Sequence, residues 1–384
     1  MSDWATNELI ISHSGIFVNN IPLLFYDRIY LMIETTLIYL RKDNKILLGK
    51  KLRGFGMGKI VGVGGKFEEG ESAEECAVRE TFEEAGVKIT KFEEVGRVVY
   101  DNLHYKNHVV RELMHVFFAT EWEGEPQDSD ELDLEWYALR DIPYENMWSD
   151  AKEFLPDLLR GKKLEVHFDY NEHNTFDDYW IHPYNDQVLA TPKDSDFGLG
   201  EDIDLSNAPV RYGARVVLIN DKKQICMTHA LNKNYFKLPG GGRERCELAY
   251  ENAIRETEEE AGYKIRDVVS LGRVVEYRSA MKRKNDSAGY LAYTDRYVGT
   301  KLEKDEVEDG TVVEWYDSID DAIAAVESMT PENCAESVAY RVNFWRVREI
   351  AFLRAAKQYL EHKTETAAAP GEAADEDFGT DFEE

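Results

Sequence analysis

The 384-residue chain holds 46 Lys and Arg against 75 Asp and Glu, a formal net charge of −29, with 43% apolar residues. That length allows two domains with independent cores, and the apolar fraction is that of a soluble globular protein. A charge so negative excludes polymeric nucleic acid and anionic membrane as main partners. It leaves room for small phosphorylated ligands, because a metal ion inverts the charge of a site locally.

Residues 1–28 form an extension of mixed apolar character without a motif. The β-branched, apolar run from Ile29 to Leu40 predicts a buried strand, and the polar turn Lys42–Lys45 leads into a second, Ile46–Leu48. A glycine-rich loop, Arg53–Gly58, precedes Ile60–Gly65. Ser72 with Glu75 three residues on signals a helix start, and Gly86 a left-handed stop. Strands follow at Glu94–Asp101 and Glu112–Thr120. Beyond them lie an acidic loop, Ser129–Glu131, a strand with Trp136 and Tyr137, a helix around Lys152–Leu159 and a strand pair from Leu164 to Ile181. Residues 183–208 are polar and aperiodic and predict a linker between domains at 29–182 and 209–362. The second domain offers strands at Arg211–Leu218, Tyr235–Leu238, Val268–Tyr277 and Tyr290–Val298. A basic loop, Lys282–Lys284, and a long helix over about Glu336–Glu361 complete it. Residues 363–384 are small and acidic and predict a disordered tail. The four cysteines, Cys76, Cys226, Cys246 and Cys334, make no CxxC pair, as expected of reduced thiols in a cytoplasmic protein. No apolar run is long enough to span a membrane, and no signal sequence opens the chain.

One segment concentrates acidic chemistry. In Gly65–Val87 the predicted helix carries Arg79, Glu80, Glu83 and Glu84, and positions three and four apart share a helix face. Carboxylates brought together repel one another, and a divalent cation with oxygen ligands, Mg²⁺ or Mn²⁺, relieves the repulsion. Alone, such a cluster is also what a solvated helix face looks like. The pattern recurs, however. Gly65, Glu71, Arg79, Glu80, Glu83, Glu84 and Gly86 reappear 176 positions on as Gly241, Glu247, Arg255, Glu256, Glu259, Glu260 and Gly262. A solvated face has no reason to keep that spacing twice.

Both stretches match the Nudix box, and the chain resembles a tandem pair of Nudix hydrolases. The resemblance implies an α+β fold, two α/β/α sandwiches with mixed sheets, and Mg²⁺-dependent hydrolysis of nucleoside diphosphate derivatives. It implies metal ligands at Glu80, Glu83, Glu84 and the Gly65 carbonyl, and at Glu256, Glu259, Glu260 and the Gly241 carbonyl. Arg79 and Arg255 would orient these carboxylates. The general base stays open. Residues 36–179 further resemble the MutT-related oxidised-purine nucleoside triphosphatases, through Lys51, Arg53–Gly56, Gly64–Lys66, Ser129–Glu131, Ile142–Pro143, Met147–Trp148 and Asp178–Tyr179. That comparison makes Glu131 a carboxylate acting from outside the box, Trp148 a platform for the base, and Thr36, Lys51, Tyr100 and Asp150 substrate-binding residues. Val61 and Ala151 depart from it, standing where the family has an asparagine and a second aspartate. The leading substrate is therefore a purine nucleoside triphosphate, such as 8-oxo-dGTP. In the second domain, Glu306 or Glu308 is the candidate outside carboxylate, Lys282, Arg283 and Lys284 read as a solvated turn in preference to a contact with phosphate, and the substrate is open. An alternative organisation has one catalytic domain regulated by a nucleotide-binding neighbour.

Overall fold

The computed structural model describes residues 10–12, 15–18, 21–22, 31–105, 108–173, 175–244 and 247–368. The remainder of the N-terminal extension, Cys246 and the tail beyond residue 368 lie outside the described residues. The chain divides into two compact units, Met1–Tyr184 and Asn185–Glu384.

In the first unit, β1 (Ile10–Ser12), β2 (Gly15–Val18) and β3 (Ile21–Pro22) form a small antiparallel sheet from the extension. The main sheet is built from β4 (Leu31–Lys42), β5 (Lys45–Lys51), β6 (Ile60–Val61), β7 (Lys88–Tyr105), β8 (His108–Glu123), β9 (Leu132–Ala138), β10 (Leu164–Tyr170) and β11 (Phe176–Pro183). Its order is β11-β10-β7-β8-β4-β5-β6, with β9 beside β5. The β4–β8 and β7–β10 pairs are parallel and the β7–β8 pair is antiparallel, so the sheet is mixed. The helices α1 (Ala73–Ala85) and α2 (Ala151–Leu159) cover opposite faces. Alternation along β4 explains why: Ile38 and Leu40 pack with Ala77 and Ala85 of α1, while Tyr39 packs with Phe154, Leu155 and Leu158 of α2. Each buried aliphatic side chain contributes about 1.5–3 kcal/mol, which commits β4 to one register.

The second unit repeats the plan with β12 (Val188–Ala190), β13 (Val210–Ile219), β14 (Ile225–Ala230), β15 (Tyr235–Lys237), α3 (Ala249–Glu256), β16 (Tyr263–Arg278), β17 (Arg283–Tyr297), α4 (Lys304–Glu308), β18 (Thr311–Tyr316), α5 (Ile319–Ser328) and α6 (Ala339–Ala368). The order is β12-β16-β17-β13-β14-β15, with β18 beside β14. One face packs on α3 through Ala253 and the other on α5 and α6 through Val326, Val342 and Phe352.

Several elements differ from the sequence reading. The segment expected to be a linker carries β12, which pairs in parallel with β16. Three residues are too few to show periodicity, and their partner lies some eighty positions on. The basic Lys282–Lys284 stretch is not a solvated loop, because Arg283 already begins β17 and only Lys282 turns, at φ +51°. The helix α5 went unread, and α6 runs to Ala368, into the stretch expected to be disordered. Cys76, Cys226 and Cys334 are free thiols in buried positions. Among the described residues, no helix is long and apolar enough to cross a membrane.

Candidate active sites

The first site forms where α1 meets the end of β6 and the loop after it. Ser72 caps α1 by accepting from the Glu75 amide, Glu75 accepts in return from the Ser72 amide, and Gly86 closes the helix at φ +69°. With its start so fixed, the helix sets its carboxylates in place. Arg79 anchors them: Nε and Nη2 each donate at 2.8 Å to the two oxygens of Glu71, Nη1 donates to Glu80 at 2.7 Å, and Nη2 reaches the Lys66 carbonyl at 2.9 Å. Such a bidentate, charge-assisted pair fixes the guanidinium plane, and Arg79 holds the Glu71 carboxyl down at about 2. Glu83 is more exposed and lies 3.5 Å from Arg79.

Glu84 accepts from the Gly64 amide at 2.9 Å. Burial, reinforced by the charges of Glu80 and Glu131, pushes its carboxyl up to about 7, against the pull of the Gly64 amide and Lys51. Burial raises Glu80 too, with Arg79 opposing. The donors are all oxygens and two of them are destabilised as anions, the arrangement that a hard divalent cation relieves. The residues therefore fit the Mg²⁺ or Mn²⁺ that the motif implies. The Gly65 carbonyl faces β4, accepting from the Thr36 amide at 2.8 Å, and the bare Cα of Gly65 leaves room for the Glu80 carboxylate. A Cβ there would sit 2.3 Å from the Glu80 carboxylate.

A cleft of about 1230 Å³ opens over these groups and takes in Thr36, Lys51 and Glu131. Thr36 turns its hydroxyl to within 3.4 Å of Cys76 Sγ, and Glu131 pairs with Arg53 at 2.5 Å. The cleft shares Lys51, Phe55, Glu112 and Met114 with a narrower, mostly apolar pocket of about 220 Å³. Tyr100, Trp148 and Asp150 come together there, with Val61 and Ala151 also in the lining. Trp148 stacks on Phe55, ring centroids 5.2 Å apart. Asp150 accepts from Tyr100 at 2.6 Å and from Tyr170 at 3.4 Å, and burial raises its pKa despite both bonds.

The second site repeats the anchor. Arg255 donates through Nε to Glu247 at 2.8 Å, through Nη1 to Glu259 at 2.7 Å and through Nη2 to Glu256 and the Gly242 carbonyl at 3.1 Å. Here Thr257–Ala261 winds as a π-turn, a distortion common at functional sites. It accompanies a shift in the tightest carboxylate partner of the arginine, from the residue beside it to the one four on. Glu260 accepts from the Gly240 amide at 2.9 Å, and burial pushes it up to about 8, with Lys237 opposing and Glu306 adding. A Cβ on Gly241 would sit 2.3 Å from Glu256, and its carbonyl accepts from the Ala214 amide at 3.2 Å. Of the two outside candidates, Glu306 lines the second pocket beside Glu260, whereas Glu308 pairs with Lys304 at 3.7 Å.

Sequence reasoning missed Glu112, which is half-buried, accepts from Thr35 Oγ1 at 2.8 Å and lines both parts of the first cleft. The signal was there. Val110, Glu112, Met114 and Val116 share one strand face, and a lone carboxylate on an apolar face calls for a reason. Lys237 was also missed, with nothing local in the sequence to mark it, and Phe55 was named only within the Arg53–Gly56 segment, without a role.

The NUDIX domain family profile matches residues 32–158 and 209–334. An oxidized purine nucleoside triphosphate hydrolase of Danio rerio is 36% identical over 141 residues, covering 36% of this chain and 87% of the relative. Its Mus musculus counterpart is 36% identical over 146 residues, covering 38% and 90%. Among solved structures, a MutT protein from Bacillus halodurans is 28% identical, covers 39% of this chain and 97% of its own, and has a TM-score of 0.34.

Proposed function

The chain belongs to the Nudix family, as a hydrolase with two Nudix domains in tandem, and on that premise we propose that the first domain is a pyrophosphohydrolase of purine nucleoside triphosphates, oxidised purines such as 8-oxo-dGTP included. One observation carries this reading: an apolar pocket with the stacked Trp148–Phe55 pair and a buried Asp150 opens directly onto the carboxylate cleft. A base held against Trp148 leaves its phosphate chain over Glu80, Glu84 and Glu131.

A divalent cation, when bound by these carboxylates, supplies neutralisation of the phosphate charge and a lowered pKa for the attacking water. Arg79 keeps Glu80 in its rotamer. Lys51, between pocket and cleft, adds a fixed positive charge beside the phosphates, so that little reorganisation is needed during reaction. Asp150, raised by burial, suits a proton-sharing contact with a purine edge. Val61 and Ala151 bring no hydrogen-bonding side chain, and the further carboxyl at the pocket comes from Glu112, also raised by burial. The 36% identity with oxidized purine nucleoside triphosphate hydrolases supports the same reading.

The test is a turnover panel of dGTP, dATP, 8-oxo-dGTP and 2-oxo-dATP with the full-length protein. The expected result is a kcat/KM for at least one oxidised nucleotide about tenfold or more above its unmodified parent. That is the discrimination expected when one buried polar group gains or loses a partner. Equal values across the panel would remove the preference for oxidised bases. The second domain carries the same carboxylate set, and we assign it hydrolysis of a different phosphoanhydride.

A further inference from the structure

The two pockets differ most on the walls outside the carboxylate cluster. The box glycines fix the comparison, since the Gly65 carbonyl accepts from Thr36 and the Gly241 carbonyl from Ala214. Following the strand registers outward from these bonds, Ile33 of β4 falls where Arg211 of β13 lies, and Leu37 where Arg215 lies. The Leu103–Val110 pair of β7 and β8 falls where Arg278 and Arg283 pair between β16 and β17. Four apolar positions lining the first site are thus four arginines in the second. Arg341 and Arg348 of α6 join them in a pocket of about 550 Å³ that also holds Glu256 and Glu260.

In a chain of net charge −29, this concentration of cations needs a counterpart. Two buried carboxylates answer part of it. Glu276 lies 2.6 Å from Arg278 and 3.4 Å from Arg348, and Glu349 lies 2.5 Å from Arg348 and 3.6 Å from Arg215. Among the described residues, Arg211, Arg283 and Arg341 have no ion pair, and the buried Nε atoms of Arg215, Arg278 and Arg283 make no hydrogen bond. Burial lowers the pKa of Arg211 and Arg215, and neighbouring arginines lower both further. Guanidinium forks match phosphate oxygens bidentately, so unsatisfied donors in a concave pocket call for phosphate.

We propose that the second domain takes a phosphoanhydride whose far end is itself phosphorylated, the additional phosphate being held by Arg211, Arg283 and their neighbours while the anhydride lies over Glu256 and Glu260. The anhydride half rests on the hydrolase reading above; the anion subsite does not.

The experiment separates the two. Adenosine 3′,5′-bisphosphate and AMP are titrated calorimetrically into the full-length protein in EDTA, where cation-dependent binding is silent. The bisphosphate is expected to bind at least tenfold tighter, with the preference shrinking as salt is raised. Arg211 sits at the solvent-accessible rim of the pocket, its guanidinium only partly desolvated, so Arg211→Gln leaves the fold intact; it should cut the preference several-fold, and R211Q/R283Q should abolish it, with nucleoside triphosphate turnover by the first domain unchanged. Equal binding of the two probes, or a preference that survives in the double variant, would overturn the proposal. With Mg²⁺ present, faster turnover of anhydrides bearing the extra phosphate supports it. Turnover indifferent to that phosphate overturns it while leaving the hydrolase reading intact. A binding preference without turnover of any anhydride by the second domain supports the subsite and defeats the hydrolase reading.

Discussion

A methyl group is enough to separate stability from catalysis at the box glycines. In Gly65→Ala the new Cβ would meet only the far end of the Glu80 side chain, which can swing away at little cost to the fold. The displaced carboxylate no longer holds its position, and a misplacement near 1 Å costs roughly a hundredfold in rate. Gly65→Ala is therefore expected to lose about that factor in first-domain kcat, with a melting curve close to that of the parent. Glu71 gives the opposite signature. Its carboxyl lies at about 2, below its ordinary 4.5, because Arg79 grips it. Its stabilisation is complete above about pH 4.5 and is lost as pH falls toward 2. Glu71→Gln should thus cost about 1 kcal/mol or more at pH 7, and the gap in denaturation midpoint from the parent should narrow as pH drops from 5 to 3. The box residues were legible in sequence because helix periodicity alone brings them together. Glu112 and most arginines of the second pocket were not, since strand register, or for Arg341 and Arg348 the packing of α6, places them beside the box.

The two box helices show how local chemistry sets an element. Ser72 supplies a side-chain cap to α1, whereas Leu248, at the matching position before α3, cannot; only Glu251 accepts there, from the Leu248 amide. Replacing Ser72 by alanine should destabilise the first domain by about 1 kcal/mol, the usual worth of such a cap, readable as a lower chemical-denaturation midpoint with unchanged m-value. Helix starts and stops were readable because Ser, Glu and Gly act within four residues. The strands β7, β8, β16 and β17 extend well past their expected ends because their length comes from pairing with each other, a long-range property that apolar runs reveal only at their centres.

Across the whole molecule, the repeat at a spacing of 176 positions makes two carboxylate clusters, each assembled from residues of its own unit. Glu80→Gln should lower first-domain turnover roughly a hundredfold or more, on the scale of other losses of an electrostatic catalytic group, and leave second-domain turnover unchanged. Glu256→Gln should do the reverse; parallel loss of both activities in either variant would show one shared centre. The repeat revealed the duplication but not how each copy completes its sheet. In the first unit the strand beside β7 comes from the chain after α2; in the second, β12 reaches its place beside β16 from before β13. A chain begun at residue 209, where the family profile starts, would therefore lack β12 and leave the outer edge of β16 bare. Unpaired backbone along an edge strand recruits strands from other molecules. The isolated second domain should aggregate when started there and stay monodisperse when started near residue 185.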